Sequence, residues 1–211
     1  MSLYNDTALF TTLPPRTVHY DLPDAVLTLF EGFIQKPESD DLYTALLEET
    51  EWKQENITVY NKTYPTPRLT AWYGESHTSY TFSGTKWQPH PFTPHLLHIK
   101  ELVETASAAR YNSVLLNLYR DGNDSVGWHR DNEKEFGLNP VIASVTFGET
   151  RLFQVRHKFR KDLKKIEIPL THGSLLVMGG AMQHYWEHQV PKTSKQILPR
   201  INLTFRWVNK L

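Results

Sequence analysis

Short runs of alternating apolar and polar residues dominate the second half of the chain. After residue 112 these runs are SVLLNLY, VIASVTFG, RLFQVRH, KIEIPL, SLLVMG and RINLTFRWV. A period of two is typical of strands, and short strands without helix-length patterns between them favour an antiparallel barrel or a double-sheet jelly roll. The pattern therefore predicts a mainly β (α+β) protein.

Two segments of the first half carry apolar residues at helical spacing. They are SDDLYTALLEETE at 39–51 and TPHLLHIKELVETASAA at 93–109, the second with Leu97, Ile99, Leu102 and Val103 along one face. Both predict helices. The intervening stretch 57–92 is rich in aromatic residues, threonine, proline and glycine, which favours hairpins and loops. Residues 1–22 are interpreted as an irregular lead-in.

Composition narrows the possible chemistry. The 211 residues favour one domain with a substantial core. The chain has no cysteine, which excludes disulfides, zinc-thiolate sites and thiol nucleophiles, whereas ten histidines leave imidazole available as a metal ligand. No basic leader precedes an apolar segment, and no apolar run approaches the ~20 residues that cross a bilayer. We therefore expect a cytoplasmic protein, without a membrane partner.

The net charge is zero, with 23 basic and 23 acidic residues, so a phosphate-binding surface would have to be a local patch. One such patch is RHKFRKDLKK at 156–165. This cationic segment predicts either a loop that grips phosphates or a solvated hairpin tip.

The stretch GWHRDNE contains the first candidate metal ligands, His129 and Asp131. In an extended segment, residues two apart point to the same side, so both side chains can reach one ion. QHYWEHQV offers His184 or His188 as the third ligand, and their even spacing would put both on one face. Two histidines and a carboxylate leave three positions open on iron(II), enough for a bidentate co-substrate and dioxygen. The alternative is a polar loop that binds no metal.

In RINLTFRWV, the polar residues Arg200, Asn202, Thr204 and Arg206 alternate with apolar ones. If the apolar face packs under helices, the arginine face looks into a barrel. Because few carboxylates are obviously placed to pair these guanidinium groups, a bound dianion such as 2-oxoglutarate is the expected partner. Asn117 and Tyr119 share one face of SVLLNLY and could donate to the same carboxylates. An edge strand with solvent-facing arginines is the alternative.

Taken in order, NLY, HRD, HQV and RINLTFR resemble the AlkB family of iron(II)- and 2-oxoglutarate-dependent nucleic-acid demethylases, over roughly residues 57–208. The likeness is strongest to its DNA-repair members. The resemblance implies a double-stranded β-helix core at 112–208 and a nucleotide-recognition lid at 52–92, within a single domain spanning 1–211. It also implies the following site residues: His129, Asp131 and His188 as iron ligands, with Arg200, Arg206, Asn117, Tyr119 and Asn202 holding 2-oxoglutarate. His184 then has a structural role near the site.

The resemblance also suggests how a base would be held. A methyl group on a paired base is unreachable inside a duplex, so the nucleotide must be single-stranded or flipped out. The implied substrate contacts are Tyr80, Phe82 and Ser83 in an aromatic lid, Tyr60 as a wedge, Arg68 at a corner after Pro67, and Asn132 and Glu133 beside the metal. The family often has an aspartate where this chain has Asn132, which bears on lesion preference.

The implied activity is oxidative removal of methyl groups from 1-methyladenine or 3-methylcytosine type lesions, using Fe(II), O2 and 2-oxoglutarate and releasing formaldehyde and succinate. The expected partner is methylated DNA, acted on by a monomer in the cytoplasm, or in the nucleus if the source is eukaryotic. The alternatives are the same chemistry on RNA, a protein or a small molecule, and a jelly roll that binds lesions without catalysis.

Overall fold

Strands form most of the regular structure in the computed structural model, which describes residues 10–59, 62–76, 78, 80–82 and 85–209. The strands are β1 Arg16–Tyr20, β2 Ala25–Glu31, β3 Asn56–Val59, β4 Lys62–Pro65, β5 Leu69–Gly74, β6 Tyr80–Phe82, β7 Thr85–Trp87, β8 Ser113–Tyr119, β9 Val126–His129, β10 Ile142–Gly148, β11 Arg151–His157, β12 Ile166–Leu170, β13 Ser174–Gly180, β14 Trp186–Val190 and β15 Arg200–Arg206. The helices are α1 Glu38–Glu49, α2 Pro94–Ser107 and α3 Met182–Tyr185, with a 3-10 turn at Lys134–Phe136.

Two antiparallel sheets make up the body of the molecule. The major sheet has the strand order β1-β2-β13-β10-β15-β8-β5, and the minor sheet has the order β12-β11-β14-β9. The non-consecutive neighbours are those of a jelly roll, in which the chain crosses repeatedly between two sheets. This arrangement confirms the mainly β prediction.

Two apolar clusters flank the major sheet. One lies under the helices and contains Ile201, Leu203 and Phe205 of β15 together with Leu46 of α1 and Ile99 of α2. The other lies between the two sheets and includes residues of β8, β11, β13 and β14. Because strand side chains alternate between faces, the polar face of β15 turns toward the space between the sheets. The expectation that the arginine face looks inward is therefore confirmed.

Both predicted helices are present, with one error in the assignment of their faces. Thr93 caps α2 by accepting a hydrogen bond from the Leu96 backbone at 3.3 Å, and Pro94 follows at the first helical position. Leu97, predicted on the packing face, is instead 45% exposed, whereas Leu96 is 1% exposed. The stripe therefore runs through positions 96, 99 and 103. No helix in the described ranges is both long and apolar enough to cross a bilayer.

The N-terminal lead-in is more regular than the sequence pattern indicates. Residues 16–20, interpreted as irregular, form β1, which pairs with β2 at one edge of the major sheet. The sequence pattern did not predict β2 either, although β2 pairs with β13 over six residues. The major sheet therefore begins well before residue 112.

The segment between the helices contains the expected hairpins. β3 pairs with β4 and β6 pairs with β7, and neither hairpin joins the two large sheets. β5 departs from this pattern because it pairs with β8 as the edge strand of the major sheet. Tyr60 and Ser83 lie outside the described residues, and the extent of the lid at 52–92 stays a prediction.

Candidate metal and co-substrate site

A cavity of about 500 Å³, including its open mouth, lies between the two sheets. The polar faces of β8, β10 and β15 form one wall, and β9, β11 and β14 form the other. Its lining residues are Arg68, Leu115, Asn117, Tyr119, Val126, His129, Asp131, Ser144, Phe153, Met178, His188, Val190, Arg200, Asn202, Thr204 and Arg206. All eight of the predicted iron and 2-oxoglutarate residues are in this set.

The side chains of His129, Asp131 and His188 converge at one point of the cavity. Their candidate ligand atoms all lie within 4.8 Å of one another. The two histidines meet because β9 and β14 are neighbours, with His129 directly opposite His188. Asp131 follows two residues after the end of β9 and is outside the strand, so the turn beyond the strand, rather than strand alternation, brings it to the cluster.

Hydrogen bonds fix the orientation of the first two candidate ligands. The Nδ1–H of His129 donates to the Gly127 carbonyl at 2.8 Å, which leaves Nε2 as the lone-pair donor, 3.8 Å from the Asp131 carboxylate. The Asp131 backbone N–H donates to Oε1 of Gln183 at 3.0 Å, and Gln183 is itself buried. Helix α3 thus holds the segment that carries Asp131.

The electrostatic environment keeps Asp131 ionised. Burial opposes ionisation of this carboxyl, but Arg206, His188 and His129 outweigh that effect and hold its pKa below the usual range. The strongest contact comes from Arg206, whose Nε and Nη2 donate to one carboxylate oxygen at 3.0 and 2.7 Å. A metal therefore meets a carboxylate and not a carboxylic acid.

His188 is held as a neutral imidazole. Burial and the neighbouring His129 lower the pKa of His188 to about 3, although Asp131 acts in the opposite direction. Its ring stacks on Phe153 at 5.2 Å, and its buried Nδ1 has no hydrogen-bond partner among the described residues. A metal ligand must be deprotonated, and two imidazoles with one carboxylate suit iron(II). This donor set fits the implied metal.

His184 does not share a face with His188. The even-spacing argument assumed one extended strand, but His184 lies in α3 and the strand β14 begins after it. Its Nε2 instead contacts the Leu138 carbonyl and holds the loop before β10. His184 is absent from the metal-capable cluster found in the described part of the chain.

Arg200 lies at the deep end of the cavity wall and is 1% exposed. Its Nη2 donates to Oγ1 of Thr146 at 2.9 Å, while Nε and Nη1 have no hydrogen-bond partner within the described ranges. Burial lowers its pKa to about 10, so it remains a cation at neutral pH. The Tyr119 ring faces this guanidinium at 5.2 Å, but a buried guanidinium with two unsatisfied groups still favours an anionic ligand. The dicarboxylate 2-oxoglutarate fits this requirement.

Arg206 corrects part of the sequence argument. The sequence pattern shows few carboxylates that could pair with the arginines of β15. In the structure, however, Asp131, 75 residues away, forms an ion pair with Arg206. The expected dianion partner is therefore supported by Arg200 and not by an unpaired Arg206.

Polar groups continue along the wall between the two arginines. Asn202 donates to Ser144 at 2.7 Å and accepts from Thr204 at 3.0 Å, and it lies opposite Asn117 in the sheet. Sequence reasoning missed Ser144 and Thr146. Both residues alternate with apolar ones in VIASVTFG, and this period-two alternation is the signal that could have identified them.

Comparison with known proteins identifies the family to which this fold and this site belong. Residues 26–206 match the model of the 2OG-Fe(II) oxygenase superfamily. The chain is 43% identical over 188 residues to alpha-ketoglutarate-dependent dioxygenase alkB homolog 3 of Mus musculus, covering 85% of this chain and 65% of that protein. It is 38% identical over 180 residues to DNA oxidative demethylase ALKBH2 of Homo sapiens, covering 81% of this chain and 69% of that protein. The chain belongs to the AlkB family of 2OG-Fe(II) oxygenases.

A solved structure of OsALKBH1 agrees in fold, with a TM-score of 0.64, 17% identity, and coverage of 92% of this chain and 100% of that one. The chain spans about two thirds of the length of the curated relatives it matches. The cofactors of the AlkB family are Fe(II), 2-oxoglutarate and dioxygen, and the His129, Asp131 and His188 cluster is the donor set present for the metal.

A single buried cation secures the strands that carry the two histidines of this AlkB-family site. Arg151 of β11 donates to the carbonyls of Asp121 at 3.2 Å, Asp124 at 2.9 Å and Pro191 at 2.6 Å. The first two carbonyls precede β9 and the third follows β14. Arg151 therefore ties together the loops at the outer ends of both strands.

The predicted substrate residues differ in burial and in how much of each the structure describes. Tyr80 and Phe82 lie on β6, whose backbone is described but whose side chains are not. Asn132 is exposed, whereas Glu133 is half-buried and its Oε2 has no hydrogen-bond partner among the described residues. Burial, and then Asp131, raise the pKa of Glu133. Arg68 lies inside the cavity wall.

The cationic segment 156–165 forms the connection between β11 and β12. Two of its arginines are paired with acids: Arg156 contacts Glu187 at 2.8 Å, and Arg160 contacts Asp162 at 2.7 Å. The buried His157 accepts the backbone N–H groups of Phe159 and Arg160, which shapes the start of the loop. Part of the positive charge of the loop is therefore already neutralised.

Proposed function

We propose that the chain is a dioxygenase that removes N-methyl groups from alkylated nucleic acid, releasing formaldehyde and succinate. The observation that carries this proposal is the convergence of His129, His188 and an ionised Asp131 and, on the facing wall, a buried guanidinium with two unsatisfied groups. The names of the relatives, among them a DNA oxidative demethylase, support nucleic acid as the substrate.

His129, Asp131 and His188 would hold the iron, and Arg200, Asn117, Tyr119, Asn202 and Arg206 would hold 2-oxoglutarate. With both bound, the iron would supply the oxidation that couples decarboxylation of 2-oxoglutarate to succinate with hydroxylation of the N-methyl group by dioxygen. The resulting hydroxymethyl group would lose its hydroxyl proton and depart as formaldehyde, leaving the bonding electron pair on the ring nitrogen.

The residues of this chain bind and orient. Arg206 keeps Asp131 ionised and in place. Burial keeps His188 neutral, so that its lone pair is available at neutral pH. Phe153 and Met178 exclude water from the wall beside the histidines. Arg200 supplies a fixed positive charge for a carboxylate, and Thr146 holds one edge of its guanidinium so that the other faces the cavity.

A base would have to leave its stack to reach this cavity. We propose Tyr80, Phe82 and Ser83 as its aromatic cover and Tyr60 as a wedge that replaces lost stacking. Glu133 would face the cationic ring of 1-methyladenine or 3-methylcytosine, because opposite charges attract strongly in a partly buried site. Asn132, exposed beside it, contributes a neutral hydrogen-bonding group.

The decisive experiment is reconstitution of the full chain with Fe(II) and 2-oxoglutarate without oxygen, followed by exposure to air with oligonucleotides that each carry one methylated base. Product mass should show loss of one methyl group per succinate formed, in DNA containing 1-methyladenine or 3-methylcytosine. Binding of methylated DNA without any succinate would instead support the non-catalytic jelly roll.

The same lesions in RNA, in single and double strands, test the choice of nucleic acid. Turnover of RNA alone would replace DNA as the substrate and leave the chemistry unchanged. Succinate formation that no oligonucleotide stimulates would point to a protein or small-molecule substrate.

A further inference from the structure

Arg68 makes its polar contacts with the protein wall of the cavity. It lies in the turn before β5, and its Nε–H donates to Oδ1 of Asn117 at 2.8 Å. A longer contact, 3.4 Å, runs from Nη1 to the Ser125 carbonyl just before β9. Sequence reasoning placed Arg68 on the nucleic acid, but these contacts place its guanidinium beside a residue of the 2-oxoglutarate wall.

Sheet register explains why Arg68 reaches Asn117. β5 pairs with β8 so that Thr70 lies directly opposite Asn117. Arg68 is two residues before Thr70 and on the same side of the chain, which makes Asn117 its diagonal neighbour. Long side chains span such diagonal positions in a sheet. The contact thus follows from strand pairing.

The Arg68 contact determines how the Asn117 amide is turned. A guanidinium only donates hydrogen bonds, so the atom facing it must be the amide oxygen. The Nδ2–H donors of Asn117 then point away from Arg68, and Asn117 lines the cavity. A carboxylate only accepts hydrogen bonds, so this orientation is the one that can bind 2-oxoglutarate. The opposite orientation would present an oxygen to the anion.

The turn that carries Arg68 is fixed on both sides. The Ser125 backbone N–H donates to the Pro67 carbonyl at 2.8 Å, which ties the turn to the segment leading into β9. The buried Thr66 donates through Oγ1 to the Glu55 carbonyl at 3.0 Å, which ties it to the base of the β3–β4 hairpin. Arg68 therefore starts from a rigid position, as a positioning group requires.

We propose that Arg68 is a positioning residue for 2-oxoglutarate, acting by fixing the Asn117 amide with its N–H donors toward the co-substrate. The proposal rests on the proposed function, since it requires 2-oxoglutarate to bind in this cavity. It assigns Arg68 to co-substrate binding and not to nucleic-acid contact.

The test measures binding without turnover. The full chain loaded with Fe(II) is titrated with 2-oxoglutarate in the absence of oxygen, and the Kd is read from the visible absorption of the complex. Arg68→Leu should raise this Kd at least about 10-fold, the usual effect of losing a hydrogen bond that holds a group facing a charge. In an Asn117→Ala background, Arg68→Leu should change the Kd less than about twofold, because the group it positions is gone.

Arg110→Leu is the matched control, because Arg110 is 81% exposed and contacts Glu104 away from the cavity. Its 2-oxoglutarate Kd should equal that of the parent, and the Kd for a methylated oligonucleotide, read by fluorescence anisotropy, should not change in either arginine variant. If the Arg68→Leu chain does not fold, Arg68→Lys takes its place in the same double-mutant cycle, with thermal unfolding as the check on folding.

Two results would overturn the proposal: an equal loss of 2-oxoglutarate affinity with and without Asn117, or weaker oligonucleotide binding with unchanged 2-oxoglutarate binding. Failure of the parent chain to bind 2-oxoglutarate would be a different outcome, since it would remove the proposed function itself.

Discussion

The two arginines of β15 occupy opposite ends of one polar face and have opposite electrostatic surroundings. Arg200 is 1% exposed, donates to Thr146, and keeps Nε and Nη1 without a partner among the described residues. Arg206, six residues later and nearer the solvent, gives two hydrogen bonds to the ionised Asp131. Six residues of strand span roughly 20 Å, so the two groups serve different parts of the site.

The difference shows how one strand serves two purposes. At the Arg206 end the protein neutralises its own charge, and the ion pair orients a candidate metal ligand, Asp131. At the Arg200 end the charge is left for a ligand to neutralise, which costs stability in the ligand-free chain and gives affinity in return. The same residue type is thus paired within the protein at one end and left without a carboxylate partner among the described residues at the other.

The largest effect should come from His129→Ala, which removes a candidate metal ligand at the Arg206 end. Succinate formation is expected to fall to the level of metal-free protein, while binding to methylated DNA by anisotropy largely remains. His184→Ala is the matched control, since the His184 imidazole hydrogen-bonds the Leu138 carbonyl, away from the candidate metal cluster, and its loss should leave activity intact. Equal turnover by the His129→Ala variant and the parent would refute the metal assignment.

Arg206→Met should strongly destabilise the metal-free chain. It leaves the Asp131 carboxylate buried without its main partner, and breaking a buried ion pair on one side costs about 3–5 kcal/mol. Urea unfolding of the chelated protein measures this loss in the free energy of unfolding. Adding Asp131→Asn should recover much of it, because no buried charge then remains. A variant as stable as the parent would show that the pair is energetically unimportant.

The free energy of unfolding of the metal-free chain should depend on pH through His188. The pKa of His188 is about 3 in the folded chain against an ordinary value of 6.5, so between these values the unfolded chain binds a proton that the folded chain does not. Stability of the metal-free chain is therefore fully present above pH 6.5 and falls as the pH drops toward 3, by at most about 1.4 kcal/mol per pH unit from this group.

Urea unfolding between pH 4.5 and 7 would show this slope, and His188→Gln should flatten it. Arg200, with a pKa of about 10, contributes nothing over this range. The pKa of Asp131 is also lowered, but this group makes the free energy of unfolding depend on pH only below about pH 4. An unchanged slope in His188→Gln would contradict the assignment of a neutral, buried His188.

The smallest stability effect is also the one opposite in sign. Arg200→Met should raise the free energy of unfolding of the ligand-free chain by about 1 kcal/mol, since it replaces a buried guanidinium that has no carboxylate partner among the described residues with an apolar group. The same variant should weaken 2-oxoglutarate binding more than about 10-fold. Both are measured on one protein, by urea unfolding and by anaerobic titration. Destabilisation by Arg200→Met would show that the two ends do not differ as described.

Local periodicity predicted much of the site. Alternation in RINLTFR placed Arg200, Asn202 and Arg206 on one face, and the structure confirms that this face lines the cavity. Such a pattern is a property of a few consecutive residues, so it can be read without knowing the neighbours. The assignments of iron and 2-oxoglutarate to individual residues stay predictions.

What the sequence could not show depends on distant contacts. The ion pair of Arg206 with Asp131 joins residues 75 positions apart, and no local pattern predicts it. The contact of Arg68 with Asn117 is equally invisible to local patterns, since the two residues lie 49 positions apart across a strand pair. The error at His184 was different: HYWEH reads equally well as a strand, and the short helix α3 forms because the chain must turn before β14.

The grip of Arg151 on three backbone carbonyls bears on how this protein can tolerate insertions and deletions. β9 is the edge strand of the minor sheet and pairs with β14, so a slip of one residue would turn His129 outward. The loops before β9 and after β14 are both hydrogen-bonded to the Arg151 guanidinium. Their lengths therefore determine the register of the two strands and the direction in which both histidines point. Chain length should therefore be far less variable at 121–124 and 191 than in the β3–β4 hairpin, where added residues would not change the pairing of His129 with His188.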